Sequence, residues 1–488
     1  MPIFAVINIF WWVFVLAVLV QIVLGSKEAD AKLFWMFVVV LLPVAGVVLY
    51  CLAGICYRRP EVFRRFHAAN IERFKRQISP EMAGEFFPEG LPEDFPEHFR
   101  PLSRLLRQCG EGNKVYSGNS FELITSGLRK RELLLEDIRQ AKHSIHLEYF
   151  RFGNDKAGHE VRDLLYQKAA EGVQVRFLNN NMMDRNIPRR YFRDMTRHGV
   201  EVIPYTHVRH GWRSWLMRVN CQNHRKLVVI DGRIAYTGGM NLNDNYFYHW
   251  RDTHLRITGP VVARLQASFM DSWMGTGGRF SEPLAAYFTR PEPVPQEPAP
   301  APVFNNVTIQ AVADAPEYPW PTTQFSYEWA LQNARDYVYI QTPYFLPPEP
   351  VMDSIKAAAL RGVDVRIIVP KKVDTIFIGP ANRGCYEECL AAGVRIYELG
   401  GEFTHSKTMV TDDGLALVGA TNLDYRSFHL DTELNCFIFN ETAARHCKEV
   451  FLSHAAESEE RHLDEWRASR KWPQKLLERF MRLGLRML

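Results

Sequence analysis

A chain of 488 residues is too long for one ordinary domain and leaves room for roughly two to four. A formal charge of only +4 gives bulk electrostatics no argument for a nucleic-acid partner, so anion binding has to come from local basic clusters. The eight cysteines are scattered, without paired C-x2-C knuckles, which argues against a zinc ribbon or a disulfide framework.

The first predicted element is the uncharged run Ile3 to Leu24, long enough to span a bilayer. After a short spacer comes a second uncharged run, Leu33 to Cys56. A cleaved signal peptide is disfavoured, because no basic segment precedes the first run and the second follows directly. Residues 1–56 are therefore expected to form a two-helix transmembrane hairpin. Arg58, Arg59, Arg64, Arg65, Arg73, Lys75 and Arg76 follow the second run, whereas only Lys27 and Lys32 lie between the two. That bias places both ends of the hairpin, and the body beyond it, on the cytoplasmic side. Residues 57–110 mix Arg, Phe and Pro and read as a juxtamembrane helix plus a connector, the helix either lying on anionic headgroups or simply solvated.

Beyond the connector the chain repeats itself. "AKHSIHLEYFRF" (Ala141 to Phe152) answers "ARDYVYIQTPYFLP" (Ala334 to Pro347), and "GVQVRFL" from Gly172 answers "GVDVRII" from Gly362. "GVEVIPY" from Gly199 answers "GVRIYEL" from Gly393. Each is a Gly turn feeding an apolar or alternating strand after a helical stretch, the pattern of α/β layers with a substantially parallel sheet. The halves are expected at 111–288 and 305–470, joined by a Pro-rich linker at 289–304 and followed by a C-terminal helix at 471–488.

The best-registered part of the repeat is "HRKLVVID" against "HSKTMVTD". His224 and His405, Lys226 and Lys407, Asp231 and Asp412, Gly238 and Gly419, Asn241 and Asn422, and Asp252 and Glu433 are all 181 positions apart. Upstream segments are offset by 190 to 194, so the first half carries an insertion at 206–222, where arginines alternate with Trp212, Trp215, Leu216 and Met217. On an extended strand His and Lys two apart share one face. The lysine supplies a fixed positive charge, which suits an anionic substrate and discourages a metal cation. The asparagines follow as neutral donors, and each acid can accept from a histidine Nδ1 and fix its tautomer. One such motif alone is more often coincidence than a site. Two copies with matching Gly, Asn and acid form a donor-rich basic pocket suited to phosphoryl chemistry, in which one histidine attacks and the other protonates the leaving oxygen.

These blocks resemble the paired H-x-K-x4-D motifs of the phospholipase D superfamily, and "NHRKLVVIDGRIAYTGGMNLND" with "THSKTMVTDDGLALVGATNLDYRSF" resembles bacterial cardiolipin synthases of the two-span type. The resemblance implies two phospholipase-D-like α/β halves related by a pseudo-twofold, with one active site at their junction. It implies His224 as the nucleophile and His405 as acid and then base. Lys226, Lys407, Asn241 and Asn422 would hold phosphate oxygens. Asp252 would orient His224, and Glu433 would orient His405. Asp231 and Asp412 complete the catalytic motif, with bracing of the interface favoured over contact with substrate. Arg426 either reaches phosphate or makes a structural salt bridge. Many superfamily members carry Gly-Ser where this chain has Gly238-Gly239 and Gly419-Ala420.

The expected activity is transfer of a phosphatidyl group between two phosphatidylglycerol molecules at the bacterial inner membrane, with no metal or cofactor and no nucleic acid. The alternatives are a phospholipase D hydrolase and a transferase using another alcohol or phospholipid. The insertion reads either as a headgroup contact or as a surface loop with a buried Trp. The last segment sets Leu476, Leu477, Phe480, Met481 and Leu488 against Lys475, Arg479, Arg482 and Arg486, an amphipathic basic helix that either lies at the bilayer interface or packs on the body.

Overall fold

The computed structural model describes residues 2–25, 29–54, 76, 84, 86–110, 112–180, 187–205, 221–289, 302–316 and 318–487. The basic stretch after residue 56, most of the insertion at 206–222 and most of the linker at 289–304 lie outside them.

The N-terminal helix Pro2–Leu24 is uncharged throughout, and among the described residues it alone is long and apolar enough to cross a membrane. The second apolar run is not one continuous helix. It divides into Ala29–Leu41 and Pro43–Leu49, followed by a π turn at Tyr50–Gly54. Pro43 is the cause, since proline lacks the N–H of an unbroken ladder and instead opens a new helix. The pieces fold back on the first helix, burying Val15, Val18 and Ile22 against Trp35, Val39, Val47 and Tyr50.

The body is built on one mixed sheet. The first half supplies β1 (Val115–Ile124), β2 (Ser144–Tyr149), β3 (Gln174–Asn179), β4 (Glu201–Pro204), β5 (Lys226–Ile230), β6 (Ile234–Gly238), β7 (Trp250–Arg251) and β8 (His254–Thr258). The second supplies β9 (Val303–Asp314), β10 (Tyr337–Gln341), β11 (Phe345–Leu346), β12 (Asp364–Pro370), β13 (Arg395–Leu399), β14 (Phe403–Thr404), β15 (Thr408–Thr411), β16 (Leu415–Gly419), β17 (Leu423–Asp424), β18 (Glu433–Phe439) and β19 (Ser458–Arg461). Fifteen strands run in the order β19-β13-β12-β10-β15-β16-β18-β9-β1-β8-β6-β5-β2-β3-β4. Its centre is the antiparallel pair β1 and β9, and outward from that pair each side passes through corresponding strands in the same order, β19 being the one addition.

The outer strands β2-β3-β4 and β10-β12-β13 are parallel, as the Gly turns predict. Gly172 and Gly362 sit at φ +93 and +96, a left-handed turn that ends a helix and launches a strand. The inner strands are buried on both faces: every residue of β5, β6, β16 and β18 is covered, which accounts for their nearly unbroken apolar sequence. Helix Val261–Gly275 packs across one side of the β1–β9 junction, helix Thr322–Asn333 against β9.

Candidate active site

Each H-x-K lies at the start of an inner strand, and at that point the two halves are stitched together. His224 N–H donates to the Thr432 carbonyl at 2.9 Å, and Thr432 N–H donates to the Gln222 carbonyl at 2.7 Å. On the other side β7 and β14 pair in parallel, with His405 N–H donating to the Arg251 carbonyl at 2.7 Å. Thr432 precedes Glu433 and Arg251 precedes Asp252, so each histidine is backed by the carboxylate of the opposite half. His224 Nδ1 lies 2.9 Å from Glu433 Oε1, and His405 Nδ1 lies 2.8 Å from Asp252 Oδ2. The expected pairing of Asp252 with His224 and Glu433 with His405 is therefore corrected: the backbone stitch crosses the partners.

All four groups are buried. Burial, reinforced by Lys226, holds the His224 imidazole well below its ordinary 6.5, and burial with Lys407 does the same to His405. Burial pushes Glu433 up to about 7 against the pull of Lys226, and Asp252 up to about 6 against Lys407. Lys226 is driven well below its usual range and Lys407 down to about 8, again by burial, with the carboxylates opposing. In the resting site the imidazoles are neutral, each giving Nδ1–H to a carboxylate and leaving Nε2 for substrate. An anion entering this dry pocket would favour the charged form of both lysines. Both ammonium groups donate to backbone, Lys226 to the His224 carbonyl and Lys407 to the His405 carbonyl.

Asn241 is buried, its Oδ1 accepting from Arg151 N–H at 3.1 Å while Nδ2 has no protein acceptor among the described residues. Asn422 Oδ1 is likewise buried without a donor there. Because an amide can turn over, both side chains can present N–H to a ligand. Among the described residues no group of three or more His, Cys, Asp or Glu side chains could hold a metal ion.

Asp231 and Asp412 are not at the histidines and depart from the catalytic grouping. A strand's length away, Asp231 accepts from the N–H groups of Lys142, His143 and Ser144 at 2.8 to 2.9 Å. Asp412 accepts from Arg335, Asp336 and Tyr337 at 2.8 to 3.0 Å. Both have positive φ, +53 and +51. They brace a helix-to-strand joint inside their own half, not the interface between halves. Arg426 takes the salt-bridge alternative: Nη2 donates to Asp431 Oδ1 at 3.1 Å, and the same oxygen accepts from Gln222 N–H at 3.1 Å.

Several residues at the site were not singled out in the sequence. Phe150 sets its ring edge-to-face on His224, centroids 4.7 Å apart, and Lys226 lies over the same ring. Tyr246 Oη is 3.5 Å from His405 Nε2. Beneath His224, buried Glu148 accepts from Asn223 Nδ2 at 2.6 Å, and buried Arg225 donates to the Glu433 carbonyl at 3.1 Å. Their counterparts under His405 are the neutral Gln341, Thr404 and Ser406, with Gln341 donating to Thr404 at 2.6 Å. That contrast, a charge in one copy and none in the other, was visible in the repeat. Gly239 is explained by packing: a Cβ there would fall 2.1 Å from Asp252 Oδ1, so the carboxylate occupies the space a serine would need.

A mixed α/β sheet in two similar halves, with two H-x-K strands meeting at one buried pocket, defines a phospholipase-D-like protein. The structure of phosphatidylserine synthase from Haemophilus influenzae shares this fold, with a TM-score of 0.58 over 79% of this chain and all of that one, at 17% identity. A family model for the cardiolipin synthase, phospholipase-D-like domain matches twice, at residues 134–273 and 328–455. Cardiolipin synthase 2 of Bacillus anthracis is 33% identical across 92% of this chain and 85% of its own length, and the major cardiolipin synthase of Bacillus subtilis 33% identical across 90% of both. The chain belongs to the family of phospholipase-D-like cardiolipin synthases.

Proposed function

We propose that the chain joins two phosphatidylglycerol molecules into cardiolipin and glycerol through a phosphohistidine. His224 Nε2 attacks phosphorus of the first lipid, the P–O bond to its terminal glycerol breaks, and His405, which takes up a proton at Nε2 as the anionic lipid enters, gives that proton to the departing oxygen. His405, now neutral, takes the proton from a hydroxyl of the second lipid, whose oxygen attacks phosphorus and breaks the P–N bond. Glu433 and Asp252 stabilise the imidazolium forms, and Lys226, Lys407, Asn241 and Asn422 bind the non-bridging oxygens where charge builds up. The reading rests on one observation: each Nδ1 is anchored to a buried carboxylate of the opposite half, which leaves two Nε2 atoms for one phosphorus. Tyr246, beside His405 Nε2, favours His405 as the histidine that handles an alcohol proton.

We further infer that the halves, 111–288 and 305–470, are related by a pseudo-twofold through the β1–β9 pair, which the strand order supports. The N-terminal helix and the broken second segment form a membrane hairpin with both ends cytoplasmic, supported by the basic residues after position 56. This puts the body at the inner face of the bacterial membrane, beside phosphatidylglycerol and other anionic lipid.

The test is purified protein in detergent with phosphatidylglycerol as sole lipid. Cardiolipin with equimolar glycerol is expected; phosphatidic acid with glycerol would instead establish a hydrolase. Quenching in denaturant at alkaline pH, where a P–N bond survives, should trap the phosphatidyl group on the peptide containing His224.

A further inference from the structure

The C-terminal helix, Trp472–Met487, is mounted with its polarity reversed. Its inward face is held by charge. Glu478 is 6% exposed and pairs with Arg383 at 3.2 Å and Arg470 at 3.5 Å. Arg482 donates to the Gly384 carbonyl at 3.0 Å and pairs with Glu388. Met481 packs on the core beneath. The outward face is apolar: Trp472 is 73% exposed, Leu476 58%, Leu477 47% and Phe480 67%. At 100° per residue, positions 476 and 480 lie on the opposite side from 478. Apart from Glu478 the helix has no acidic residue, and Lys475 and Arg479 flank the apolar stripe.

The reversed helix packs against the short helix Ile378–Arg383, and the loop leading into that helix exposes two more large apolar side chains, Ile376 at 83% and Phe377 at 56%. The same loop reaches the site. Tyr344 Oη donates to Asp374 Oδ1 at 2.8 Å, and the Tyr344 ring stands edge-on to His405, centroids 6.4 Å apart.

We propose that Ile376 and Phe377, with the Trp472, Leu476 and Phe480 stripe, form a docking surface for an anionic lipid bilayer, seating the His405 side of the active site against the membrane. A helix that commits Glu478 and Arg482 to the protein and turns its apolar side outward has its solvent preference inverted, and an acid-free apolar stripe with basic flanks fits an anionic interface. The surface lies far along the chain from the N-terminal helix, so the body has a second hold on the membrane, one placed beside the chemistry. The inference rests on the reading that the substrate is a membrane lipid.

The test is the full chain carrying Ile376→Ser, Phe377→Ser, Leu476→Ser and Phe480→Ser together, compared with wild type in two formats. One is protein reconstituted in bilayers of equal parts phosphatidylglycerol and phosphatidylcholine; the other is detergent-solubilised protein given short-chain, monomerically dissolved phosphatidylglycerol. The variant is expected to lose turnover about tenfold or more on the bilayer, from the apolar area no longer withdrawn from water, and to keep wild-type turnover on the soluble substrate. Leu360→Ser, at an exposed leucine outside the surface, should leave both unchanged. Equal variant and wild-type turnover on the bilayer overturns the proposal, as does a loss of equal size in both formats. A smaller particle mass for the variant than for wild type in detergent also overturns it, identifying a second copy of the chain as the occupant. Should wild type itself form no cardiolipin in either format, the functional reading fails, separately from the surface.

Discussion

Glu433 stands 209 residues from the histidine it orients and Asp252 stands 153 from its own. Glu433→Gln and Asp252→Asn keep size and remove charge, so each should lower kcat by about 10³- to 10⁴-fold with the protein still folded. Histidine-resolved NMR checks the crossing: Asp252→Asn should move the resonances of His405 and not those of His224, and the uncrossed pairing would give the reverse. The same groups set the pH profile. As pH falls through about 7 and then 6, Glu433 and Asp252 take up protons and cease to stabilise an imidazolium. As pH rises through about 8, Lys407 loses its charge. kcat/KM, which follows the free enzyme, should therefore rise to a narrow maximum between these limbs and fall on either side. The constant offset made all eight members of the two His, Lys, Asn and acid sets legible as one group. It could not say which acid meets which histidine, because a matched spacing of 28 residues from His224 to Asp252 and from His405 to Glu433 is what both pairings share.

Elements owe their joints to the motif aspartates. In each half three successive N–H groups converge on one carboxylate where a helix hands over to the first of the outer strands, β2 or β10, and the aspartate pays for this with a left-handed backbone. Asp412→Ala leaves those donors without their acceptor and should cost about 2–4 kcal/mol, read as a lower urea midpoint. Turnover per folded molecule should stay near wild type; a catalytic aspartate would give the opposite split. This role was hidden in the sequence because the residues served, 142–144 and 335–337, lie far upstream and offer only backbone. The Gly-led strands were readable, since a helix stop followed by an apolar run is a local signal. Hydropathy reads the second apolar run as one span because it counts side chains, whereas the break at Pro43 is a matter of a missing amide. Most of the expected linker at 289–304 and of the expected insertion at 206–222 lies outside the described residues.

For the molecule as a whole, one sheet running through both halves makes the site a property of the complete chain. His224→Ala and His405→Ala chains co-reconstituted in one bilayer should show no recovery of turnover, because each chain has one broken pair and the partners it needs are intramolecular. Measurable recovery would reveal exchange between copies. Chelation should leave the rate unchanged, because the positive charge that the phosphate meets belongs to Lys226 and Lys407; a strict requirement for added divalent ion would contradict this. The crossed stitch also bears on how such an enzyme is made. When the ribosome has finished the first half, His224 and Lys226 exist but Glu433 has not been translated, so the nascent chain holds His224 without the carboxylate that its Nδ1 meets in the folded protein. The two histidine–carboxylate pairs are thus completed only when the second half has folded onto the first.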